Sequence, residues 1–110
     1  MEVYDNVNKL ATSIKNSKEY IEFKKIKETI SEHPELKAQI DEFEKIRYEE
    51  QLLGLQGEQQ SPEKMAKLQE LYKILVENED VKEYFEKEVK FNVMIADVNK
   101  IIGEAIKDVL

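Results

Sequence analysis

The chain has no cysteine, one histidine, one arginine, two prolines and three glycines in 110 residues. Each shortage removes a class of chemistry. Without cysteine there is no disulfide, thiolate metal site, iron–sulfur ligation or cysteine nucleophile, and the composition fits a reducing cytoplasm. A single histidine, His33, cannot supply the paired Glu-x-x-His motifs of a di-metal helical bundle, and position 30 is Ile30, not a carboxylate. His33 sits in "EHPE", where it reads as a turn residue ending one helix; a catalytic base there would lack a partner nucleophile. The single arginine, Arg47, and a net charge of −7 argue against direct nucleic-acid binding, because phosphates are met by clustered Arg and Lys.

Long apolar runs are also missing. The longest is "VMIA", residues 93–96, so nothing is expected to span a membrane. The opening "MEVYDNVNK" lacks the apolar stretch of a signal peptide. "GLQG" has neither the lysine nor the preceding strand of a phosphate-binding loop, and no D-x-D-x-D-G calcium loop occurs. The basic cluster "KKIK", residues 24–27, reads as a solvated helix face. Acid pairs such as Glu83 and Glu86 follow from composition alone. No cofactor, metal or catalytic residue is expected, and the chain reads as a non-enzyme.

What is present is helix. Charged residues make up 37% and hydrophobic residues 41%, as expected of amphipathic helices with wide wet faces. The spacing predicts an all-α bundle of five helices in one domain: two short helices over 1–32, a helical hairpin over 34–77 and a long helix over 79–108. Ser17, Ser61 and Asn78 stand where N-caps belong, and Pro34 and Pro62 suit first turns. The apolar stripe of the third helix is Leu36, Ile40, Phe43, Ile46 and Leu53, with Glu50 in the same seam. The fourth carries Met65, Leu68, Leu71, Tyr72, Leu75 and Val76. "GEQQSP" is the clearest loop, and its shortness makes the third and fourth helices antiparallel neighbours.

The last helix holds the longest seam: Tyr84, Glu88, Phe91, Ile95, Val98, Ile102, Ala105 and Val109, at alternating steps of four and three. At 1.5 Å per residue this helix is roughly 45 Å long. A 110-residue globule is only roughly 34 Å across. Either the helix kinks, with Gly103 the weakest point, or its far end packs on another chain; the unbroken heptad favours the second. Phe91, Ile95, Val98, Ile102 and Ile106 are therefore the candidate anchors of a protein interface. Glu50 and Glu88 are candidates with two readings. Each carboxylate reaches water from a seam edge, or each fixes register or partner through Arg47, Lys87 or another chain.

"SKEYIEFK", "HPELKAQIDEF", "LQGEQQSPEKMAKLQELY" and above all "EKEVKFNVMIADVNKIIGEAI", in this order, resemble the YlbF/YmcA/YheA family of small bacterial helical proteins. The resemblance spans about Val3 to Ile106. It implies a cytoplasmic, all-helical, non-enzymatic regulator that assembles with itself or with relatives. Family members look like accessory factors for competence, sporulation and biofilm development in Gram-positive bacteria, acting in a complex linked to a phosphorelay and to ribonuclease Y. Some members use cysteines to carry iron–sulfur clusters; this chain has none to offer. The expectation is thus a homodimer or larger assembly acting through protein–protein contact. The other reading is a small-ligand bundle with a cavity walled by Tyr20, Phe43, Tyr72 and Phe91.

Overall fold

A computed structural model describes residues 1–110. It contains five helices and no strand: α1 (Glu2–Lys15), α2 (Lys18–Ser31), α3 (Pro34–Leu55), α4 (Pro62–Leu75) and α5 (Glu79–Ile106). The helix starts are set by the expected side chains. Ser17 Oγ accepts the Tyr20 N–H at 3.1 Å and donates to the Ile14 carbonyl at 2.6 Å, so one hydroxyl closes α1 and opens α2. Ser61 Oγ accepts the Lys64 N–H at 3.4 Å. Asn78 Oδ1 accepts the N–H groups of Asp80 and Val81 at 2.9 and 3.2 Å. Pro34 and Pro62 occupy first turns, where a missing N–H costs nothing.

The end of α3 is equally specific. Glu58 N–H donates to the Leu53 carbonyl at 2.9 Å and Gly57 N–H to the Gly54 carbonyl at 3.2 Å. That pair of bonds needs a left-handed residue between helix and loop, and Gly57 supplies it at φ 76°. Gly103, by contrast, lies inside α5, which runs through it as one helix of 28 residues. The helix is thus not interrupted at Gly103.

The packing divides into two compact units, and the division falls inside α2 and α5. One is Glu28–Glu83; the other combines Met1–Lys27 with Tyr84–Leu110. In the first, Ile30, Ile40, Phe43, Ile46, Leu75 and Val81 are buried. Lys67 pairs with Glu42 at 3.0 Å and Lys64 with Glu49 at 3.1 Å. Rising numbers on α3 meet falling numbers on α4, so the two helices are antiparallel, as the short loop requires. Phe43 and Tyr72 stack obliquely across them at 6.1 Å, and the Arg47 guanidinium lies 5.4 Å from the Phe43 ring centre. Arg47 also pairs with Glu44 one turn back.

In the second unit α2 and α5 are antiparallel by the same criterion. Phe23 meets Tyr84 at 5.6 Å and Phe91 at 5.5 Å, and Tyr20 meets Phe91 at 6.3 Å. Tyr84 and Phe85 pack edge to face at 5.5 Å. Tilted ring pairs at these separations contribute about 0.5–1.5 kcal/mol each beyond their area. Lys27 covers the open side of Phe23 at 5.1 Å. The four rings suggested as the walls of one cavity thus occur as two contacting pairs: Tyr20 with Phe91, and Phe43 with Tyr72.

Candidate interaction surface

The two seam carboxylates are buried. Glu50 is 2% exposed and Glu88 8%. The reading in which each reaches water from a seam edge is therefore corrected. Glu88 is buried and partnered. Glu50 meets backbone instead of Arg47 or Lys87: its Oε2 accepts the Ser61 N–H at 3.0 Å. Its own carbonyl accepts the Gln60 side-chain amide at 3.2 Å. The loop after α3 therefore folds back over Glu50 and seals it. The carboxylate lies at the start of α4, where the unpaired N–H groups and the helix dipole favour a negative charge. Its second oxygen, Oε1, is buried with no hydrogen-bond partner. Glu50 is thus a latch within Glu28–Glu83.

The aromatic end of α5 is also inward. Phe91 is half-buried among Tyr20 and Phe23, and Ile95 and Val98 are half-buried too. Beside this stretch Lys87 pairs with Glu22 at 3.0 Å. The hydrogen bond from Lys87 holds the Glu22 carboxyl below its ordinary value of 4.5; the charges of Lys87, Lys18 and Lys90 act in the same direction, and partial desolvation opposes them.

Further along, the seam opens to solvent. Ile102 is 48% and Ile106 41% exposed. α1 buries no residue fully: Leu10 and Ile14 are half-buried, while Val3 and Val7 are exposed. Outside the seam, α5 exposes a second set that four-three spacing does not pick out: Val89, Val93 and Ile101. With Met94, Lys90 and Asp97 they line a shallow, largely apolar groove that Glu19 of α2 borders. Their own spacing, with Asp97 between Val93 and Ile101 in steps of four, is the sequence signal for this face.

His33 is exposed at the α2–α3 turn, its side chain making no capping bond. Glu35, Asn78 and Asp80 share a polar recess with it. No group of three or more His, Cys, Asp or Glu is placed to hold a metal ion. No helix is long and apolar enough to cross a membrane.

A continuous helical chain with this order of caps and seams has clear relatives. Residues 3–107 match the family described as "Control of competence regulator ComK, YlbF/YmcA". The chain belongs to this family. It is similar to a UPF0342 protein of Caldicellulosiruptor bescii, 38% identical over 105 residues that cover 96% of this chain and 88% of that one. A UPF0342 protein of Desulfitobacterium hafniense is 38% identical over 110 residues, covering 100% and 89%. One from Symbiobacterium thermophilum is 35% identical over 104 residues, covering 94% and 93%. The family description names a regulatory role and no reaction. The resemblance drawn from the helix patterns is thereby established.

Proposed function

We propose that this protein is a non-enzymatic cytoplasmic regulator that works by binding other proteins through the exposed part of α5. Its setting is bacterial developmental control of the competence, sporulation and biofilm kind. Its partners are copies of itself, family relatives or a complex linked to ribonuclease Y. The observation that carries this reading is the apolar seam of α5, which continues unbroken to Ile102 and Ile106 and leaves both about half exposed. Covering apolar surface stabilises a complex by about 25 cal/mol per Å². Ile102 and Ile106 are the outward anchors; Ile95 and Val98 support them, and Phe91 holds the helix to α2. Membership in a regulatory family supports the same reading. With no cysteine, the chain brings no thiolate to a shared cluster. Complementation of a deletion strain with an Ile102→Lys/Ile106→Lys chain tests it: loss of regulation is expected, and full restoration would overturn it.

A further inference from the structure

α3 is apolar on two sides. Its inner seam of Ile40, Phe43, Ile46 and Glu50 is buried. On the outer side, Tyr48 is 62% exposed, Leu52 37% and Leu55 85%. At roughly 100° per residue these three fall within about 60° of one another and nearly opposite Glu50. The α3–α4 loop folds back over Glu50, on the inner side, and leaves the outer stripe open. α4 has no such stripe: Tyr72 packs on Phe43, and Ile74, two residues on, points elsewhere. The outer stripe also extends backwards in the same rhythm. Lys45, Tyr48, Leu52 and Leu55 follow at steps of three, four and three, which is the a–d seam of a coiled coil with a lysine at one a position. The charges around it are already matched. Lys37 pairs with Asp41, Glu44 with Arg47, Glu42 with Lys67 and Glu49 with Lys64, and Glu50 holds the Ser61 N–H. Between Lys37 and Glu50, Lys45 alone among the charged side chains of α3 has no partner. A lone charge in an apolar seam decides which helix can lie on it, because the crossing helix must supply the opposite charge.

A second copy of α3 does not supply it. A parallel pair sets Lys45 against Lys45. An antiparallel pair that lays Leu52 on Tyr48 sets Lys45 against Leu55, a cation on an apolar side chain. The register that gives Lys45 an acid, Asp41, leaves Leu55 beyond the start of the other α3. We propose that the outer face of α3 is a docking surface whose occupant is one amphipathic helix of a different protein, apolar in heptad register and carrying a glutamate or aspartate where it crosses Lys45. Tyr48, Leu52 and Leu55 are its apolar anchors, at the spacing by which a helix is read. Tyrosine is well suited to the centre of such a contact. The stripe from Lys45 to Leu55 is roughly 15 Å long, a size that fits a transient contact. This surface lies on a different helix from Ile102 and Ile106 and goes beyond the reading of α5.

The probes are two fluorescent helical peptides of about three heptads with leucine at a and d. One carries glutamate and the other lysine at its central a position. Binding to the full chain is read by fluorescence anisotropy, and circular dichroism checks that each variant stays folded. The glutamate probe is expected to bind wild type about tenfold or more tighter than the lysine probe. Lys45→Glu should reverse that order. Leu52→Glu should weaken both probes by about tenfold or more, and Ile102→Lys/Ile106→Lys should change neither. In the native bacterium, a photo-cross-linking amino acid in place of Tyr48 should join the chain to another protein, at a helical segment with apolar heptads and an acid in the seam. No binding of the glutamate probe at about 100 µM, equal affinity for the two probes, or no reversal by Lys45→Glu would overturn the proposal. So would loss of binding in the α5 variant alone, or cross-linking at Tyr48 to a second copy of this chain. In each of these cases the proposed regulatory role would stand, because complementation with the Ile102→Lys/Ile106→Lys chain reads it separately.

Discussion

The buried carboxylate of Glu50 holds the α3–α4 loop by accepting the backbone N–H of Ser61 at 3.0 Å. Its place in an apolar seam is visible from spacing alone. Its destination is not, because the group that meets it is the backbone N–H of Ser61, eleven residues on, and a backbone donor leaves no mark in a sequence. The structure makes it the clasp of the α3–α4 loop, with one oxygen bonded and the other buried without a partner. Glu50→Ala should therefore cost about 2–3 kcal/mol in urea unfolding, since it strands a buried donor and removes a charge-assisted bond. Glu50→Gln keeps an acceptor for Ser61 and removes the buried charge, so it should lie within about 1 kcal/mol of wild type. Equal losses from both substitutions would contradict the latch.

Glu22 carries a pH dependence at the same scale. Its carboxyl is held below the ordinary 4.5 by the hydrogen bond from Lys87. A carboxylate depressed by folding adds stability that is fully present above its unfolded value and is lost as pH falls through its folded value. The melting temperature should therefore drop below about pH 4.5, and Glu22→Gln should reduce that drop. A Glu22→Gln protein with an unchanged acid profile would show that the Lys87 pair does not contribute.

At the scale of elements, caps and stripes were the most legible features. Ser17, Ser61 and Asn78 cap where their chemistry places them, and α3 buries Ile40, Phe43 and Ile46 as its period requires. α5 was legible in register but not in exposure. A four-three pattern marks the seam around Phe91, yet the stripe through Val89, Val93 and Ile101 also carries apolar side chains, and spacing cannot say which of two faces a neighbour covers. Nor does spacing show that the chain packs as two units. Gly103 marks the other limit. Glycine in a sequence permits a break, whereas α5 runs through Gly103 as one helix between helix-forming neighbours. Since a Cβ there would meet nothing within 4 Å, Gly103→Ala should raise stability by about 0.5–1 kcal/mol. Gly57→Ala should do the reverse, because φ 76° is unfavourable for any L side chain. Thermal unfolding of the two variants decides, and a destabilising Gly103→Ala would mean that α5 needs its glycine.

For the whole molecule, we propose that an exposed surface of α5 carries the regulatory function. Membership in a family described by a regulatory role supports this proposal, and α5 exposes Val89, Val93, Ile101, Ile102 and Ile106. The most direct measurement is the transcript profile of a deletion strain of the native bacterium complemented with wild-type chain, with Ile102→Lys/Ile106→Lys, or with a control such as Gln69→Lys on the exposed side of α4. All three proteins should accumulate and fold to similar extents. Wild type and the α4 control are expected to restore the profile, while the α5 variant leaves it as in the deletion strain. Restoration by the α5 variant at normal abundance would contradict the proposal.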